Sequence, residues 1–119
     1  MQWGIPTAIS LVECIKSTTG KLDIMASGGI WDGVSIAKAL SLGADSVGIA
    51  GFLLYLLVNE GESEVIKILK NIEEDLILCM LMLGAKNIDQ LKESSIVITG
   101  DSKEWLEQRG YDLSCFARR

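Results

Sequence analysis

The feature that most limits the fold is a unit that occurs twice in succession: a short apolar run, a glycine-bearing turn, then a stretch with helical spacing. Residues 21–26 are mostly apolar and run into Ser27-Gly28-Gly29, followed by a helical pattern over 32–42 that stops at Gly43. Residues 45–50 form a second such run, end at Gly51, and lead into helical spacing over 52–59 and 63–83, stopped by Gly84. Strands that read as continuous apolar runs, joined through a helix, predict a parallel sheet covered on both faces. The helix over 32–42 supplies the crossover that parallel neighbours require. Two such strands cannot bury both faces by themselves, so the architecture is incomplete as it stands.

The flanks extend the pattern. A helix is predicted over 7–16, with Pro6 at its first position, Ala8, Leu11, Val12 and Ile15 on one face, and Gly20 ending it. After Gly84 the chain reads as a short helix over 87–93, with Asn87 as N-cap and Gln90 three residues on. An extended stretch over 95–99 and a final helix over 101–109 follow, with Gly110 at the stop. No linker divides the chain, so residues 1–119 are expected to form one unit. The terminal Arg118-Arg119 is too short a basic run to carry weight alone.

Composition then excludes several chemistries. The sequence contains no histidine, which removes His general bases, His metal ligands and Ser-His or Cys-His pairs. Sixteen acidic against eleven basic residues give a net charge of −5. That balance argues against a nucleic-acid partner, which a basic stripe would normally mark. Cys14, Cys79 and Cys115 form no CxxC pair and no disulfide framework, and Cys14 and Cys79 read as small hydrophobes within helices. With no signal peptide either, the cytoplasm is the expected compartment. The mean hydropathy is +0.33, yet the apolar runs over 47–58 and 76–83 are too short to span a bilayer. The second, apolar all round, is expected to be buried between layers or at a subunit contact.

Chemistry can reside at the two turns. Glycines let the backbone turn tightly and expose N–H groups, and a following helix start carries partial positive charge. The turn at 27–33 and the turn Gly48-Ile49-Ala50-Gly51 together suggest a phosphate site of the kind built after the last two strands of a β/α barrel. The pattern is neither Gly-x-Gly-x-x-Gly nor a P-loop. Glu73, Glu74 and Asp75 read as a solvated helix face, and Trp3, Trp31 and Trp105 as packing aromatics. Trp31 stands apart because it lies within the first turn. Lys38 and Lys86 are secondary candidates as phosphate partners.

The residues carry a resemblance. Trp3-Gly4-Ile5-Pro6-Thr7, Ala26-Ser27-Gly28-Gly29-Ile30, Ile36-Ala37-Lys38-Ala39-Leu40, Gly43-Ala44-Asp45 and Gly48-Ile49-Ala50-Gly51 are similar to the type 2 isopentenyl-diphosphate isomerases. So is the tail, with Gly84-Ala85-Lys86-Asn87-Ile88, Ile98-Thr99-Gly100, Glu104-Trp105-Leu106 and Arg109-Gly110. The glycine turns are shared by many flavin-dependent barrels; the tail is what singles out this family. The resemblance implies an α/β fold that is part of a (β/α)8 TIM barrel: its last two β/α units plus a C-terminal helical extension. It implies FMN as cofactor, NADPH as reductant and Mg²⁺ for the substrate diphosphate, in an enzyme that interconverts isopentenyl and dimethylallyl diphosphate and is commonly a homo-oligomer.

Carried over by position, Gly28, Gly29, Ile30 and Trp31 match the first FMN-phosphate turn, and Ala50 with Gly51 the second. No catalytic and no metal-ligating residue is assigned, because the family's substrate, Mg²⁺ and flavin-ring residues lie in an N-terminal half with no counterpart here. The chain is therefore expected to be a C-terminal fragment, inactive alone, whose partners are FMN and the missing half-barrel or further copies. Two positions depart from the family pattern: Trp31 stands where it usually has Arg, and Phe52 where it often has Pro. Weaker FMN binding is expected, since an Arg at a phosphate site has no conservative replacement. A non-catalytic module docking through its apolar helices is one alternative. Another is a different FMN-dependent barrel such as a 2-hydroxy-acid oxidase, though these usually carry Gly-Arg where this chain has Ala50-Gly51.

Overall fold

A computed structural model of the chain describes residues 4–119; Trp3, and with it the first residue of the resembling motif, lies outside them. The element order is α1 (Thr7–Thr18), β1 (Met25–Ser27), α2 (Gly33–Leu42), β2 (Ser46–Gly48), α3 (Gly51–Asn59), α4 (Glu62–Leu83), α5 (Ile88–Lys92), α6 (Gly100–Gln108) and α7 (Ser114–Ala117). β1 and β2 pair in parallel, Met25 opposite Ser46, Ala26 opposite Val47 and Ser27 opposite Gly48, with α2 as the crossover.

Each strand has three residues, half the predicted length. At the entrance, the Asp45 carboxylate accepts the Ile24 N–H at 2.8 Å and the Asp45 N–H donates to the Ile24 carbonyl at the same distance. That side-chain closure replaces the ladder, and residues 21–22 are a bend. At the exit, Gly28 takes φ +101° and leaves the pleat. The two strands are covered on one face only, as expected of two strands by themselves. Ala26 is buried under α1 and α2, whereas Met25 and Ser27, on the alternate face, are exposed.

The helices agree with the predicted ones to within two residues at either end. Pro6 sits one position before the first helical residue, as N-cap. α1 buries Ile9, Leu11 and Val12 and leaves Ala8 exposed, so its face is rotated from the predicted one. Thr19 (φ 51°) ends α1 and Gly43 (φ 117°) ends α2, both left-handed. Asn87 caps α5 by accepting the Gln90 N–H at 2.9 Å, while the Gln90 carbonyl oxygen of the side chain accepts the Lys86 N–H at 2.8 Å. Residues 95–99 are extended but join no strand; the Ile96 N–H bonds to the Phe116 carbonyl instead. The short α7 has no counterpart in the sequence reading.

Two cores form. Ile9, Val12, Ala26, Leu42, Leu106 and Phe116 join α1, β1, α2, α6 and α7. Ala37, Leu40, Ala85 and Leu91 form the second between α2, α4 and α5, with Leu76, Cys79 and Met80 packed on it. The α2–α4 contact is close at Gly33, where a Cβ would lie 2.3 Å from the Leu76 nitrogen. The expected burial of residues 76–83 is half realised: Leu81 and Met82 are 71% and 80% exposed. Cys14 is exposed, not a core residue, and all three thiols are free.

Polar contacts pin the C-terminal segment. Glu13 accepts the Trp105 indole N–H at 3.3 Å and the Arg109 Nε–H at 3.0 Å, tying α1 to α6. Arg119, given no weight in the sequence, donates through Nη1 to the carbonyls of Ser41 and Lys92 and lies 4.9 Å from the Phe116 ring centroid. Among the described residues no helix is long and apolar enough to cross a membrane.

Candidate functional site

The C-terminal ends of the two strands open into a cleft of about 460 Å³. All six predicted site residues line it: Gly28, Gly29, Ile30 and Trp31 from the loop after β1, Ala50 and Gly51 from the start of α3. Parallel pairing brings them together, because it puts both strand ends on the same side and both turns emerge there.

The first turn is shaped by two consecutive glycines at φ +101° and +70°, a region closed to most side chains. The Thr7 hydroxyl holds the turn from α1, donating to the Gly28 carbonyl at 2.8 Å. A Cβ on Gly28 would come within 3.1 Å of that oxygen, whereas Gly29 and Gly51 face open space. The Ser27 hydroxyl donates to the Gly48 carbonyl at 3.0 Å, joining the two strand ends beneath the cleft.

The two helix starts differ. Asp32 caps α2, its carboxylate accepting the Ser35 N–H at 2.7 Å. Those backbone donors hold its pKa below the ordinary aspartate value, chiefly through the Ser35 N–H. The α2 N-terminus thus carries a carboxylate of its own. α3 has no side-chain cap. Its first intrahelical bond runs from the Leu54 N–H to the Ala50 carbonyl at 2.9 Å, leaving the N–H groups of Gly51, Phe52 and Leu53 for a ligand. Among the described residues, the N–H groups of Gly29, Ile30 and Trp31 likewise have no protein acceptor.

The walls are aromatic. Trp31, 61% exposed, stacks on Phe52 with ring centroids 6.3 Å apart and planes at 14°. Tyr55 follows one helical turn after Phe52 and also lines the cleft. Neither Phe52 nor Tyr55 was named as a site residue from sequence, although their i, i+3 spacing from a helix start at Gly51 places them on one face. No charged side chain lines the cleft among the described residues. Lys38, on α2, lines the adjoining groove between α1 and α2, which shares Gly28, Gly29 and Ile30 with the cleft, and Lys86 lies far along the chain beyond α4. No group of three or more His, Cys, Asp or Glu side chains converges among the described residues.

An array of free backbone N–H groups beside an uncapped helix start suits a phosphate monoester, held without a cationic side chain. The residues present therefore fit the phosphate end of a nucleotide-like cofactor, with aromatic surface next to it.

Comparison with known proteins agrees with this geometry. Residues 3–98 match the FMN-dependent dehydrogenase family. The chain is 41% identical to an isopentenyl-diphosphate delta-isomerase of Bacillus pumilus, over 99% of this chain and 33% of that protein. It is 46% identical to the one of Methanothermobacter thermautotrophicus, over 98% of this chain and again 33% of that protein. The chain thus spans about a third of the length of these curated relatives. Among solved structures, a mandelate oxidase with a monooxide FMN adduct superposes with a TM-score of 0.76 at 21% identity, over 83% of this chain and 32% of the other. A flavocytochrome b2 with sulfite bound gives 0.68 at 23%, over 94% and 32%. At these identities the likeness is one of fold: the βαβα arrangement is part of a (β/α)8 barrel.

Proposed function

The chain belongs to the FMN-dependent dehydrogenase family, and from that premise we propose that it forms the phosphate-holding end of the FMN site in an isopentenyl-diphosphate delta-isomerase. The observation that carries this reading is the pairing of a double-glycine turn with the uncapped start of α3 in one cleft, all six residues of the resembling FMN-phosphate turns lining it. The high identity to curated isomerases along nearly the whole chain supports this substrate class over a 2-hydroxy-acid oxidase.

In this reading residues 1–119 are one portion of a single barrel domain. Gly28 and Gly29 bend the backbone so that the Gly29 to Trp31 amides face the ligand. The amides of Gly51, Phe52 and Leu53 meet the phosphate from the other side, where the α3 dipole adds favourable charge. Asp32 is kept from competing because its carboxylate is already held by Ser35. When bound, reduced FMN supplies the acid and base chemistry at the allylic carbons, and the chain's own task is to fix its position. NADPH as reductant and Mg²⁺ at the substrate diphosphate belong to the same proposal, and none of these 119 residues is assigned to either.

Titration of the purified chain with FMN, followed by flavin fluorescence and by thermal melt, tests the reading. Saturable binding that inorganic phosphate displaces and riboflavin does not is the expected result. No binding by a folded chain would defeat it. No isomerase turnover is expected from this chain alone with FMN, NADPH and Mg²⁺.

A second reading, docking on another polypeptide surface, draws on the exposed apolar residues of α3 and α4: Leu54, Val58, Leu81 and Met82. A chain that stays monomeric at high concentration during size-exclusion chromatography would count against self-association through this face.

A further inference from the structure

Resting on the reading of the cleft as a phosphate site, we infer that Trp31 and Phe52 act as an aromatic clasp that sets the spacing of the two phosphate-facing turns. β1 and β2 stop pairing at Ser27 and Gly48. Beyond that point no backbone hydrogen bond links residues 28–31 to residues 49–52 among the described residues. The amide donors on the two sides of the cleft therefore lie past the end of the ladder that aligns their strands. The Ser27 to Gly48 bond lies at the base of the cleft, at the last paired position. Above it, the Trp31–Phe52 stack bridges the turns, at 6.3 Å and 14°.

Spacing matters because an oxyanion accepts hydrogen bonds only over a few tenths of an ångström around 2.9 Å. A cationic side chain could span a looser gap by moving with the ligand; fixed amides cannot. The cleft holds no charged side chain, so its grip depends on turns held at one separation. A tryptophan 61% exposed contributes little to the core, and its ring makes its stacking contact with Phe52. An aromatic pair in offset stacking stabilises its geometry beyond simple area burial, enough to bias the turns toward the bound separation. Trp31 and Phe52 are accordingly positioning residues, acting through the backbone that carries them.

The test is a double-mutant cycle on the full 119-residue chain: Trp31→Ala, Phe52→Ala, both together, and Trp31→Phe as the conservative variant, each checked for folding by circular dichroism. FMN affinity and the affinity for inorganic phosphate, read as a competitor, are measured side by side. Each single alanine variant is expected to bind FMN about three- to tenfold more weakly, and the double variant no more weakly than the worse single. Inorganic phosphate should lose affinity in step with FMN, since the turns hold the phosphate, and Trp31→Phe should retain most of the FMN affinity. Additive losses, or an FMN loss with phosphate affinity unchanged, would overturn the clasp. Failure of the wild-type chain to bind FMN would defeat the functional reading instead. The same four variants would then be compared by thermal melting, where non-additive shifts support the clasp and additive or absent ones overturn it.

Discussion

The βα region around α1, β1, α2, α6 and α7 and the arm formed by α3 and α4 both carry apolar helix faces, α1 and α4 to the same average degree, yet they treat them in opposite ways. In the first, Ile9, Val12, Leu106 and Phe116 are each no more than 2% exposed. In the second, α3 buries no residue fully and α4 buries only Ile72. Length and facing together explain the difference. A helix of 22 residues runs about 33 Å, whereas the ten residues of α2 run about 15 Å. α2 covers one side of the C-terminal half of α4, where Leu76, Cys79 and Met80 pack, while Leu81 and Met82 on the same turns remain exposed and most of the N-terminal half extends past α2. The radius of gyration, 15.4 Å, exceeds the roughly 13.5 Å expected for a compact domain of this length. An apolar residue states a preference for burial; a neighbour must be present to satisfy it.

Four substitutions probe that contrast. Phe116→Ala empties a fully buried site that also anchors Arg119 and Lys16 through their cations, and should cost about 3–5 kcal/mol. A urea melt checks it, and a loss below about 1 kcal/mol would place the organising core elsewhere. Gly33→Ala acts where the two regions meet. Its methyl would press on the backbone of Asp75 and Leu76, so α4 must move away from α2, at a cost of about 3 kcal/mol. A neutral result would mean that the arm docks loosely.

Asp32→Ala removes the α2 cap at a cost of about 1 kcal/mol at neutral pH. The folded-state pKa of Asp32 is lowered, so its contribution is complete above the ordinary aspartate range and fades as pH falls through the lowered value. Wild type and variant should therefore converge in acid melts once the pH falls below that lowered value. A difference that persists unchanged would assign the effect to packing. The smallest effect belongs to the arm: Leu81→Ser should change stability by less than about 0.5 kcal/mol while lowering any tendency to self-associate. A large loss of monomer stability would show that this face is covered in solution.

Helix positions were legible because their stops are chemical. Gly43 and Gly84 end α2 and α4 in the left-handed conformation, and Asn87 caps α5 through its side chain. The strands were legible in place but not in length, since the Asp45 carboxylate closes the entrance that an apolar run would have continued. The glycine turns were legible as a pair, and all six residues named from them meet in one cleft. Their electrostatics were not. That α2 is capped by Asp32 while α3 is open depends on where a single carboxylate points, and composition carries no such direction.

The order of apolar runs, glycines and helical spacing was enough to determine the βαβα core, its parallel pairing and the location of the two glycine turns that line the cleft, because these follow from local backbone preference and short connections. Which helix start stays free, that Trp31 reaches Phe52 across the cleft, and that Arg119 reaches back to Ser41 were decided only by the tertiary structure. Each joins residues separated by 21 or more positions, or turns on the direction of one side chain, and distances of that kind are set by packing after the elements have formed.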